Sequence, residues 1–287
     1  MLGRQSIYIL LFTLISTLNL WSNTANDHKL CSFSYMYFEV TNGLILIDAS
    51  INNQKGKYIF DTGLEGIIIN GPAQRADEIF ETVGGPVDAE KVKIDQLKVG
   101  NLIKSNLTAY QTDLSNISSL MNTYVHGMIG LSVLEEVLVS IDYSTQTLKF
   151  IPKVPNINKV TDGMSHLNII MQNDVPCIEL QHNNESLLFA LDTGAASHFL
   201  NENHADSPAT NSKAHKILAA GYTTISKGHI NLSLKNKAEQ AFNLSFKTIN
   251  LSGINEQLDR PIHGILSIKK LFDGPFLIDT KLGLLYY

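Results

Sequence analysis

Apolar and polar positions along this chain alternate in short runs, and no long helical stripe interrupts them. Leu44-Ile45-Leu46-Ile47 and Tyr58-Ile59-Phe60 flank the turn-forming stretch Asn52-Asn53-Gln54-Lys55-Gly56, which predicts a hairpin. Asn183-Asn184-Glu185 predicts a matching turn further on. Val92 to Leu97 and Ile230 to Leu234 alternate with period two, as half-buried strands do. Only two short helices are expected, at 133–137 and 268–271. Residues 152–163 hold two prolines and no sustained period, so they read as a linker. The pattern predicts an all-β protein with short helices.

The pattern also repeats. Asn42 to Asp48 lies over Asn173 to Glu179, and Asp61-Thr62-Gly63 over Asp192-Thr193-Gly194, both at an offset of 131 residues. His126-Gly127-Met128-Ile129 lies over His263-Gly264-Ile265-Leu266, and Ile141-Asp142 over Ile278-Asp279, at an offset of 137. The second copy has therefore gained residues between these blocks, and the polar stretch from Asn203 to Thr210 is where the gain is expected. Units of this length exceed the ~20–50 residues of a solenoid repeat and are the size of a small lobe. The expected organisation is a leader over 1–25, a lobe over 26–151, the linker over 152–163 and a second lobe over 164–287.

Composition adds little beyond this. The chain has 287 residues, 44% hydrophobic, with a formal charge of −5. That excludes a nucleic-acid binder built on a basic surface, and no glycine-rich phosphate loop is present. Arg4 followed by the apolar run Ile7 to Ile15, fading into polar residues, has the layout of a secretory signal with Ala25 as the last removed residue. The run falls short of the ~20 residues a spanning helix needs, so export to the periplasm or medium is expected rather than stable membrane insertion. Export permits a disulfide between the only two cysteines, Cys31 and Cys177, with two buried free thiols as the equal alternative.

The duplicated Asp-Thr-Gly carries the candidate chemistry. Asp61 and Asp192, each ending an apolar run, would meet on a two-fold axis if the lobes face each other. Two carboxyls sharing one proton over a bound water can hydrolyse a peptide bond with neither metal nor cofactor. The ionised member takes a proton from the attacking water, and the protonated member polarises the carbonyl. Gly63 and Gly194 would allow close approach and unusual backbone angles, and Thr62 and Thr193 offer hydroxyls able to bond across the two loops. Competing chemistries lack their spacing: there is no Gly-x-Ser-x-Gly elbow, no His-Glu-x-x-His and no Cys-x-x-Cys.

With these motifs the chain resembles the retropepsin-like and pepsin-like aspartic peptidases, in the exported bacterial form with two retropepsin-type lobes. The likeness runs from about Phe38 to Phe150 and from Leu167 to Tyr287. It implies two β-barrel lobes paired as an internal pseudo-dimer within a monomer, acting on a peptide or protein substrate. It also implies a strand of two apolar residues and glycine behind each catalytic loop. Met128-Ile129-Gly130 fits that element, whereas Ile265-Leu266-Ser267 has lost the glycine. A flap over the substrate is implied at Gly84-Gly85, with Gly221-Tyr222 as its looser counterpart. The position after the motif glycine is usually Ser, Thr or Ala in this family; here it is Leu64 and Ala195. Leu64 and Ser267 favour an alternative reading, a peptide-binding protein that keeps the fold without catalysis. The symmetric His126 and His263 are expected to cap or pack the threaded strand.

Overall fold

The computed structural model describes residues 5–6, 34–75, 78–82, 85–153, 158–204, 215–219, 222–226, 229–272 and 274–287. The expected leader apart from Gln5–Ser6, Cys31, the linker core and most of the second lobe's extra residues lie outside these.

Both predicted hairpins form. Leu44–Ile51 pairs with Gln54–Asp61 across Asn52-Asn53, whose φ values of 49° and 65° are those of a two-residue primed turn. Val175–His182 pairs with Glu185–Asp192 across Asn183-Asn184, at φ 48° and 68°. Asparagine tolerates this left-handed region because its short polar side chain bonds locally. Each hairpin delivers its second strand directly into an Asp-Thr-Gly loop.

Behind each strand that ends in Asp-Thr-Gly runs a threaded strand, parallel to it. Val125–Gly130 aligns Ile129 with Phe60 and Gly130 with Asp61, and is antiparallel to Ile67–Asn70 on its other side. Gly264–Ser267 does the same in the second lobe, aligning Ser267 with Asp192 and running antiparallel to His198–Asn201. The lobes are joined underneath by a six-stranded sheet to which each contributes three strands. Its central pair is Val137–Asp142 against Phe276–Asp279, with Ser140 opposite Leu277. A buried apolar cluster extends through both lobes, including Phe60 and Phe150 from the first and Phe189 and Phe276 from the second. Lys153, one residue past the first lobe's last strand, reaches the buried carboxylate of Asp279 in the second lobe at 2.8 Å.

One helix moves from its expected place. The turn after the first threaded strand is a 3-10 helix at Leu131–Leu134, and Val137 instead opens the strand of the joining sheet. A β-branched residue facing a sheet interior is better placed in the strand, and this tertiary demand outweighs the local run. The second lobe has Ile268–Lys270 in the same role. The linker contains one helical turn, Asn158–Thr161.

Candidate active site

The two Asp-Thr-Gly loops meet, one from each lobe. Asp61 and Asp192 are 1% and 3% exposed, and Thr62 and Thr193 are fully buried beside them. Thr62 Oγ1 donates to Leu191 O at 2.9 Å and accepts Thr193 N–H at 3.0 Å. Thr193 Oγ1 donates to Phe60 O at 3.2 Å and accepts Thr62 N–H at 2.9 Å. Four hydrogen bonds thus cross from lobe to lobe through two hydroxyls, the arrangement the duplicated threonines predict.

Each carboxylate accepts the N–H of its own motif glycine, Gly63 to Asp61 Oδ1 at 2.8 Å and Gly194 to Asp192 Oδ1 at 2.5 Å. Asp61 Oδ2 is buried, and the Gly194 N–H near it is already directed to Asp192. The Asp192 carboxyl is a hydrogen-bond neighbour of Asp61 across the axis. Burial is the main force on both groups: it pushes Asp61 up to about 6, against the hydrogen bonds from Asp192 and from the backbone N–H groups of Gly63 and Gly194. Asp192 is raised well above the ordinary range by burial first and the Asp61 charge second, against the N–H groups of Gly194 and Ala195. The pair therefore holds one proton over a range where isolated carboxyls hold none, and it titrates as a unit.

Leu64 does not crowd the carboxyls with an exposed side chain. It is fully buried in an apolar cluster with residues such as Ile59, Ile68 and Met128. The missing glycine at Ser267 has a local remedy. In the first lobe Gly130 N–H donates to Gly66 O at 2.8 Å, which Gly66 presents from φ +71°, and a Cβ on Gly130 would sit 2.0 Å from Leu64 O. In the second lobe Ser197 takes the place of Gly66, and Ser267 N–H donates instead to the imidazole Nδ1 of His198 at 3.2 Å. Sequence reasoning missed His198, because its partner lies far along the chain. The paired departures at 197 and 267 were the available signal.

The flap is part of a hairpin between Glu78–Thr82 and Gly85–Val99, and Gly85 stands at φ +108°. Gly84 lies outside the described residues. Strand Glu78–Thr82 touches the short helix Ser252–Asn255 of the other lobe, so this hairpin reaches across the lobe boundary. The second lobe has a smaller hairpin, His215–Ala219 with Tyr222–Ser226, in which Tyr222 pairs with Ala219; Gly221 lies outside the described residues. Cys177 is a fully buried free cysteine, and the disulfide expected with Cys31 has its other half outside the described residues.

One group with metal-ligand chemistry arises that the sequence spacing did not reveal. Candidate ligand atoms of Glu185, His204 and His263 lie within 4.8 Å of one another. His263 Nδ1, however, accepts Leu188 N–H at 3.0 Å, so the neutral ring carries its proton on Nε2. It therefore presents a donor, not a lone pair, to the other two.

The grip between the lobes has a measurable expectation. Thr62→Val or Thr193→Val keeps the shape but removes two cross-lobe bonds, leaving a buried N–H and a buried carbonyl without partners. Each should lower unfolding free energy by about 2–4 kcal/mol in chemical denaturation. The double variant should fall short of the sum, since both hydroxyls belong to one network.

Residues 47–133 match the family model described as aspartyl protease. That match lies within the first of two all-β lobes. The solved structure of basic 7S globulin from soybean is similar at 8% identity, over 88% of this chain and 94% of that one, with a TM-score of 0.47. No curated protein sequence matches the chain.

Proposed function

We propose that the chain is an exported aspartic endopeptidase in which Asp61 and Asp192 activate a water against a peptide bond. The observation that carries this reading is the buried carboxyl pair brought together by the two Asp-Thr-Gly loops and fixed by bonds from both lobes. Asp61 takes a proton from the bound water as its oxygen attacks the carbonyl carbon, while Asp192 gives its proton to the carbonyl oxygen. The tetrahedral diol then collapses. The C–N bond breaks, the leaving nitrogen takes the proton that Asp61 received, and Asp192 recovers its proton from the diol. A non-catalytic peptide binder was favoured by Leu64 and Ser267. Leu64 packs in the apolar cluster, Ser267 N–H is taken by His198, and the carboxyls keep their bonds from Gly63 and Gly194, which supports catalysis.

Hydrolysis of a denatured protein, with and without pepstatin, separates the readings; a chain that binds peptide and never cleaves it is the second. Export rests on the leader-like run ending at Ala25. Among the described residues no helix is long and apolar enough to cross a membrane. The mass of the mature chain tests the cleavage, and sedimentation tests the expected monomer.

The pH profile has a predicted shape. Catalysis needs Asp61 ionised and Asp192 protonated, and burial raises both. The acid limb should therefore lie near pH 6, and the optimum between mildly acidic and neutral. A rate peaking below about pH 3.5 would mean that the carboxyls titrate no higher than ordinary aspartates.

A further inference from the structure

Three histidines outside the carboxyl pair make the same bond. His126 Nδ1 accepts Lys57 N–H at 3.2 Å, His263 Nδ1 accepts Leu188 N–H at 3.0 Å, and His198 Nδ1 accepts Ser267 N–H at 3.2 Å. Lys57 and Leu188 stand at equivalent places, four residues before Asp61 and Asp192 on the two catalytic strands. Ser267 is paired in register with Asp192 itself. We infer that His198 and His263 are positioning residues that hold the Asp192 strand and the strand threaded behind it only while their imidazoles are neutral, giving the protein a built-in acid limit.

Each bond sits where the strand ladder needs help. At His126 the register between threaded and catalytic strands shifts, Val125 standing opposite Lys57 and Gly127 opposite Tyr58, and the imidazole takes the Lys57 N–H. The ring fits because residue 56 is glycine; a Cβ there would lie 2.2 Å from it. At His263 the bond is reciprocal, for its own N–H donates to Leu188 O at 2.7 Å. At His198 the ring replaces the carbonyl that serves the first lobe. A neutral imidazole with Nδ1 accepting carries its hydrogen on Nε2. Taking a proton from solvent places a second N–H on Nδ1, so donor then faces donor and the bond is lost.

The surroundings do little to stabilise the charged rings. His198 packs on Phe246, and burial with the Lys270 charge lowers it to about 4. His263 is lowered by burial first, then by His204 and more weakly by Arg260, with Glu185 opposing. A histidine lowered in the folded state binds fewer protons there than in the unfolded chain. Stability is therefore complete above the ordinary histidine range near 6.5 and is lost as pH falls below it. Asp61 and Asp192, being raised, act with the opposite sign, so they cannot produce this acid loss.

The structural part of the inference stands without the peptidase reading; only its catalytic consequence rests on it. Asparagine places Oδ1 where histidine has Nδ1, accepts the same N–H and does not titrate. Thermal midpoints of the unaltered chain should fall steeply between about pH 6.5 and 4.5, and those of the combined His198→Asn and His263→Asn variant much less. Equal falls overturn the inference. If the variant does not fold, hydrogen exchange in the unaltered protein decides. Corrected for intrinsic rates, protection at Leu188 and Ser267 should drop by up to about tenfold per pH unit below 6.5, and constant protection sinks the idea. Neither readout needs cleavage. A chain that never hydrolyses peptide can still pass, and an active one can still fail.

Discussion

Asp61→Asn and Asp192→Asn should each abolish peptide hydrolysis, by at least about 10³-fold in kcat, while the chain remains folded. Asparagine keeps the size of the side chain and an oxygen for the motif glycine N–H, so the loops have no reason to move. What is lost is the base in one variant and the shared proton in the other. Stability should change in the direction opposite to activity. An aspartate raised by burial is most stabilising when protonated, at pH below its unfolded value near 4, and its contribution fades as pH rises through the folded value, about 6 for Asp61. Asparagine is neutral throughout, so each variant should melt above the unaltered protein at pH 7. Near-normal turnover in either variant would end the shared-carboxyl mechanism. An inactive variant that melts lower at pH 7 would show that the loops had been disturbed and the test spoiled.

That pairing of effects was only half legible in the residues. The duplicated Asp-Thr-Gly fixed which carboxyls meet, because two copies in phase at the ends of apolar strands place them on an axis. The Asn-Asn turns fixed the hairpins that carry them, since adjacent left-handed residues admit few other side chains. Local patterns of this kind are read directly from a chain. The six-stranded joining sheet was not, because it collects strands from Ser34–Tyr37 to Leu284–Tyr286, and such pairings leave no mark in a short window. His198 was hidden for the same reason: Ser267 looks like a defect until the imidazole from another strand is seen on its N–H. The reason given for the motif glycines also changes. Neither Gly63 nor Gly194 adopts a positive φ, so unusual backbone angles are not what they supply.

Space is what they supply, and this leads to the other large effect. A Cβ on Gly194 would lie 2.3 Å from Asp61 Oδ2 and 2.8 Å from its Cγ, and one on Gly63 would lie 2.9 Å from Asp192 Cγ. Each glycine therefore leaves room for the carboxyl of the opposite lobe. That carboxyl cannot swing aside cheaply, because its other oxygen is held by a glycine N–H and its loop by the threonine bonds. Gly194→Ala should push Asp61 from Asp192 by a sizeable fraction of an ångström. At a site that works by shared-proton geometry, a misplacement approaching 1 Å costs about 10²-fold in kcat. Overpacking should also lower stability by about 1–3 kcal/mol. Gly63→Ala has the longer contact and should be the milder of the two. Steady-state kinetics and denaturation of both variants, purified side by side, test the ranking as well as the size. If Gly194→Ala kept activity within about threefold, or Gly63→Ala proved the worse, the carboxyls would not be pressed against these loops as the structure places them.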